Sequence, residues 1–240
     1  MTKTLPPLLF LHGFRGNHLG LEAIAKQFPG HQVHLPDIPP TGKTPLKTYD
    51  PQSYATWIAN YIIEHQLDRP ILIGHSMGSI LAAATAAKFP ELINDKIVFL
   101  SPISQKPPRF LTYLMPGLII VPNKLIGYLV TKYLLIPKDR QLLAQTLDLT
   151  YRCYQTYTSR LDTVSAAKFS MRYAISDFNF DRTAIFIAGT TDRLNSQKQT
   201  RAVAKKYHAE TIFLPDSGHL INYECPELVA EAIHNFLDQK

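Results

Sequence analysis

The chain has 240 residues, 45% of them hydrophobic and 18% charged, with a formal net charge of +6 at pH 7; that length suits one α/β domain with an insertion and can bury a sizeable core. Its only cysteines, Cys153 and Cys225, are far apart, which excludes a disulfide framework and any C-x-x-C metal or redox pattern. The apolar opening, Met1 to Leu11, is too short for a secretory signal, so a cytoplasmic enzyme is expected.

In chain order, Pro7 to Leu11 reads as a strand, Leu19 to Phe28 as a helix, and Gln32 to Leu35 as a strand. Pro51 to His65 follows as a helix with Asp50 as its N-cap. The apolar run Pro70 to Ile73 is a strand, and the alanine-rich stretch after it is a helix that Pro90 stops. Lys96 to Leu100 is the next strand. The alternation resumes at the strand Ala184 to Ala188, a helix from Ser196 to Tyr207, the strand Thr211 to Leu214 and a helix from Pro226 to Leu237. Strands separated by helices at this spacing predict a mostly parallel sheet of about six strands covered on both faces. Residues 103–182 interrupt the pattern, and they hold eleven Lys/Arg against five Asp/Glu, which accounts for the whole positive excess.

Gly74-His75-Ser76-Met77-Gly78, between a buried strand and a helix, is a G-x-S-x-G nucleophile elbow. Its serine occupies a tight turn with the hydroxyl exposed, and glycines on either side remove side chains that would collide there. A serine hydroxyl needs a base, and a histidine oriented by a carboxylate is the usual one. Of the nine histidines, His219 alone lies on a loop at the carboxyl edge of the sheet and follows the serine in the required order. Asp192, just past the next-to-last strand, completes the order Ser, Asp, His; Asp216, three residues from His219, and Asp37, after the second strand, fit less well. The strand before the insertion ends Phe99-Leu100-Ser101-Pro102 and offers no acid. The oxyanion of an acyl-transfer intermediate needs backbone N–H donors, each contributing about 3 kcal/mol or more. Met77, at the start of its helix, supplies one and Phe14 the other, although His12-Gly13-Phe14-Arg15-Gly16 taken alone reads as a glycine turn.

These motifs together resemble the α/β-hydrolases of the small, capped serine esterase type over nearly the whole chain. His12-Gly13-Phe14 matches the family's oxyanion motif, Gly74 to Gly78 its elbow, Gly189 to Asp192 its acid loop and Gly218-His219 its histidine loop. The resemblance implies a core of residues 1–102 and 183–240, a helical cap at 103–182, an acyl-enzyme mechanism, and no metal or organic cofactor. Relatives that open epoxides or displace halide carry aspartate at the apex, so Ser76 points to acyl transfer. The short lead into the first strand implies a sheet without the two leading strands of larger members. A second departure is Asp37-Ile38-Pro39-Pro40-Thr41-Gly42, where the family has an Asp-x-x-Gly-x-Gly turn.

The first half of the insertion is strongly apolar from Phe110 to Ile136, but Pro116, Pro122, Lys124, Lys132 and Pro137 break it, so it does not span a membrane. Its apolar faces either bury against one another or line an acyl pocket and rest on an anionic lipid surface. Arg15, His75, Tyr113 and Tyr128 are the candidate substrate-binding residues. The expected function is hydrolysis of a small-molecule ester with a lipophilic acyl chain, such as a monoacylglycerol or lysophospholipid. One alternative is a lyase or carbon-carbon bond hydrolase that holds a substrate carboxylate on Arg15, Arg152, Arg160 or Arg172. Another is a ligand receptor that turns over slowly. No nucleic-acid motif accompanies the positive segment, and the sequence does not set an oligomeric state.

Overall fold

The computed structural model of the chain describes residues 5–41, 45–107, 132, 140–154 and 160–239. Its first half runs β1 (Leu8–Leu11), α1 (Glu22–Ala25), β2 (Val33–His34), α2 (Pro51–Glu64), β3 (Ile71–His75), α3 (Met77–Lys88) and β4 (Lys96–Leu100). Two helices of the intervening segment are described, α4 (Arg140–Tyr154) and α5 (Arg160–Arg172). The chain then forms β5 (Thr183–Gly189), α6 (Gln197–Lys206), β6 (Glu210–Leu214), α7 (Ile221–Glu224) and α8 (Pro226–Asp238).

The six strands lie in the order β2-β1-β3-β4-β5-β6, and every pairing is parallel. Side chains alternate across a strand, so each strand feeds two cores. Leu9, Leu11, Leu72, Ile97, Phe99 and Phe186 pack under α2, α3 and α6, while Leu8, Phe10, Ile73, Val98, Leu100 and Ile187 pack under α1 and α8. Burying one such side chain stabilises the fold by about 1.5–3 kcal/mol. Because the strands are parallel, residues 12–15, Ser76, Asp192 and His219 all emerge at the carboxyl edge.

The helix expected from Leu19 to Phe28 is broken. Asn17 Oδ1 accepts from Leu19 N–H at 3.1 Å and caps a 3-10 turn at His18–Gly20, leaving only Glu22–Ala25 as α-helix. Gly20 is tied to α7 by Asn222 Nδ2–H, which donates to its carbonyl at 2.8 Å, and a Cβ on Gly20 would stand 2.7 Å from the Tyr223 hydroxyl oxygen. The short helix α7 is absent from the sequence reading. α4 packs on the His18–Gly20 turn and on α7. α5 buries Ala166, Ala167 and Phe169, the last with its ring 4.7 Å from that of Tyr54 in α2. Tyr113, Tyr128 and the apolar stretch around them lie outside the described residues. Among the described residues no helix is long and apolar enough to cross a membrane.

Candidate active site

β3 delivers Ser76 into a backbone conformation of φ 52° and ψ −115°, directly before α3. A non-glycine residue at positive φ stores about 1–3 kcal/mol of strain, which the surroundings must hold. They do so by close packing. A Cβ on Gly78 would collide with the Leu11 carbonyl, and one on Gly74 with the backbone of Gly78. Ser76 N–H donates to the Leu100 carbonyl at 3.0 Å, and the Ser76 carbonyl accepts from Ser79 N–H at 3.0 Å and from Ser79 Oγ–H at 2.5 Å.

Asp192 and His219 arrive from β5 and β6. Asp192 Oδ2 lies 2.8 Å from His219 Nδ1, and His219 Nε2 lies 2.9 Å from Ser76 Oγ. Burial works against the Asp192 charge, but His219 and the N–H groups of Asn195 and Leu194 outweigh it and hold the carboxyl below its usual range. An ionised carboxylate only accepts, so the imidazole carries its proton on Nδ1 and offers Nε2 to the serine hydroxyl. The His219 and Asp192 side chains are 2% and 0% exposed, so water does not compete for this pair.

The acid and histidine loops are laced together. Thr191 N–H and Oγ1–H both donate to the Ser217 carbonyl, at 3.0 and 2.8 Å, and Gly218 N–H donates to Glu224 Oε1 at 3.0 Å. A Cβ on Gly189 would collide with the carbonyls of Ser217 and Gly218. The competing acids are occupied or remote from the pair: Asp37 Oδ1 accepts from His18 N–H and Nδ1–H at 2.9 Å each, and Asp216 is exposed.

Phe14 is half-buried after β1, and Met77 is the first residue of α3, with no helical carbonyl four residues back for its N–H. Beneath Phe14, Ile38 N–H donates to His12 Nε2 at 2.9 Å and His12 Nδ1–H donates to the Gly13 carbonyl at 2.9 Å. His12 therefore braces the loop as a neutral ring, and burial lowers its pKa to about 4. Arg15, at φ 60°, sits beside Phe14 with its guanidinium carbon 5.7 Å from the Phe14 ring centroid. His75 differs from its expected role as a substrate contact. The ring is buried, its Nε2–H donates to the His219 carbonyl at 3.3 Å, and burial, then His219, lower its pKa to about 3. It braces the histidine loop instead.

Residues 8–232 match the sequence model of the alpha/beta hydrolase family. The chain belongs to that family. This alpha/beta hydrolase is 24% identical over 258 residues to an abhydrolase domain-containing protein of Schizosaccharomyces pombe, covering 97% of this chain and 92% of the relative. It is 24% identical over 260 residues to the 2-(acetamidomethylene)succinate hydrolase of Mesorhizobium japonicum, covering 97% and 88%. An esterase from Exiguobacterium antarcticum superposes with a TM-score of 0.85 at 15% identity over 98% of this chain and 93% of that one, a likeness of fold.

In this alpha/beta hydrolase the sequence-predicted Ser76 and Asp192 each come within hydrogen-bond reach of His219. Sequence reasoning overlooked the residues that hold them: Thr191, Asn195, Glu224 and the brace of His12. Thr191, the Asn195 side chain and His12 Nε2 meet backbone groups of remote segments, whereas the Asp192-to-Asn195 spacing carries a local sign, an aspartate accepting from N–H groups two and three residues on. Among the described residues no group of three or more His, Cys, Asp or Glu is placed to hold a metal ion.

Proposed function

We propose that this hydrolase cleaves carboxylic esters through an acyl-enzyme on Ser76, with a preference for lipophilic acyl groups. The observation that carries the reading is the continuous path from Asp192 Oδ2 through His219 to Ser76 Oγ, at 2.8 and 2.9 Å, ending on a serine held at positive φ. Ser76 Oγ attacks the ester carbonyl while His219 Nε2 takes its proton, and Asp192 stabilises the imidazolium that forms. The N–H groups of Phe14 and Met77 receive the oxyanion, with the positive end of α3 behind Met77. His219 then protonates the departing alcohol, and water repeats the sequence to release the acid.

In this reading residues 103–182 are the cap that selects the substrate. In support of it, α4 packs on the His18–Gly20 turn and on α7, which follow the loops that carry Phe14 and His219. The apolar residues between Phe110 and Ile136 favour a long acyl chain, and Lys106, Arg109, Lys124, Lys132, Lys138 and Arg140 favour contact with anionic lipid. A series of aryl esters tests the acyl preference: kcat/KM rises with chain length and is lost in Ser76→Ala, whereas preference for acetate at every concentration removes the lipophilic part. Sedimentation with anionic and neutral vesicles tests the lipid contact, and equal binding to both removes it.

A second reading keeps the same three residues but takes a small molecule bearing a carboxylate, for carbon-carbon cleavage or elimination. Arg15 beside Phe14 favours it, and the Mesorhizobium relative is named for a substituted succinate. Arg15→Gln separates the two: it raises KM for carboxylate substrates alone in the second reading and leaves uncharged esters unaffected. Fluorophosphonate labelling of Ser76 with multiple turnover separates both from a slow receptor.

A further inference from the structure

The segment between β4 and β5 has two roots that are bonded to each other. Ile175 N–H donates to the Ile103 carbonyl at 3.0 Å and Ser176 N–H to the Ser104 carbonyl at 3.3 Å. The outgoing root also reaches both halves of the site. Ile103 N–H donates to Ser79 Oγ at 3.1 Å, and it is Ser79 whose hydroxyl bonds the Ser76 carbonyl. One residue on, Ser104 N–H donates to Asn195 Oδ1 at 3.2 Å, while Asn195 N–H donates to Asp192 Oδ1 at 3.1 Å. Asn195 is 3% exposed and Ser104 is fully buried, so an N–H left unpaired there has no water to turn to.

The turn from Asp192 to Asn195 sets the carboxylate relative to its own loop, through the N–H groups of Leu194 and Asn195. It does not by itself set the loop relative to His219. On one side that is done by Thr191 and the Ser217 carbonyl; on the other it is done by the Asn195 side chain and the root. Asn195 therefore uses its backbone toward the acid and its side chain toward the segment, and joins the two.

We propose that Asn195 is a positioning residue: by tying the Asp192 turn to the root at Ser104, it fixes the orientation of Asp192 and, through it, of His219. The inference rests on the Ser76–His219–Asp192 reading. Small errors in the placement of reacting groups cost large factors in rate, so the role appears in kcat rather than in KM.

The test compares Asn195→Ala and Asn195→Ser with the unaltered enzyme, with kcat expressed per site counted by the burst of an activated aryl ester. In Asn195→Ala we expect kcat to fall about tenfold with KM changed less than about twofold. Fluorophosphonate labelling of Ser76 slows by the same factor, and the downfield proton resonance of the His219 Nδ1–H bonded to Asp192 weakens or disappears. Asn195→Ser, with a hydroxyl too short to reach Ser104 N–H, shows the same loss and replaces the alanine variant if that one does not fold. An unchanged kcat per site in the alanine or serine variant, or a loss explained entirely by fewer titratable sites, overturns the proposal. Normal turnover by Ser76→Ala instead overturns the reading on which it rests, and the two failures are thereby distinct.

Discussion

Ser76 and the Asp192–His219 pair are held in opposite ways. Around Ser76 the restraint is steric: Gly74 and Gly78 let three stretches of backbone close on one another, with no room for a methyl group. Around Asp192 and His219 it is largely polar, a lattice in which the side chains of Thr191, Asn195, Glu224 and His75 bond to backbone groups of Ser217, Ser104, Gly218 and His219. Close packing fails abruptly because interiors are dense and yield little, whereas a set of hydrogen bonds loses its members one at a time. The position of Ser76 is thus all-or-none, and the alignment of His219 is adjustable.

The largest effect that can break this contrast is chemical. Ser76→Ala removes the attacking atom, and esterase activity should drop by about 10⁴- to 10⁶-fold while the thermal midpoint moves little; retained turnover would remove the nucleophile from the scheme. Next comes packing: Gly78→Ala forces β1 away from α3 and should cost about 3 kcal/mol or more in urea unfolding, with no residual activity. A tolerated Gly78→Ala would show that the elbow is as adjustable as the loops. Thr191→Val, by comparison, deletes one of two bonds to the Ser217 carbonyl and should cost about 1 kcal/mol and severalfold in kcat. A loss as large as that of Gly78→Ala would erase the distinction.

A separate probe, of the buried rings that brace these loops, is the slope of stability with pH. His12 and His75 are held near 4 and 3, below the 6.5 of an exposed imidazole, because burial penalises their charged forms. The unfolded chain therefore binds protons that the folded chain refuses. Their contribution is fully present above about pH 6.5 and declines as the pH falls toward 4, by about 1.4 kcal/mol per pH unit for each histidine. Asp192, held below the ordinary range, keeps its contribution above about pH 4 and loses it only at lower pH. Denaturant midpoints from pH 7 to 4 should show uptake of about two protons on unfolding from these rings; a flat profile in that window would mean that the two rings are not held neutral.

Regular elements with local causes were legible in the sequence. Asp50 caps α2, accepting from Ser53 N–H at 2.7 Å, and β4 spans Lys96–Leu100, the run of residues its apolar pattern indicates. Ser196 likewise caps α6 in a reciprocal box with Gln199. The expected helix at Leu19 to Phe28 breaks at its start, where Asn17 caps a 3-10 turn and where Asn222 and Tyr223 of α7, about 200 residues on, meet Gly20. The same reason hides the support of the site. The elbow has a motif because its glycines are adjacent in sequence, whereas Asn195 meets Ser104 across 91 positions and His75 meets His219 across 144. His75 reads locally as a residue beside the nucleophile, and only the folded chain shows its ring engaged with a distant carbonyl.

The sheet order also governs when the enzyme becomes competent. β1 to β4 and Ser76 all precede residue 103, whereas Asp192 and His219 follow residue 182, on strands that pair with β4 and then with each other. Long-range strand pairing is slow because loop closure must precede its reward. A chain emerging from the ribosome can therefore build the elbow well before His219 is in place beside Ser76. On the proposed mechanism the serine lacks its base for that interval, and labelling of Ser76 would report completion of β6 rather than collapse of the core.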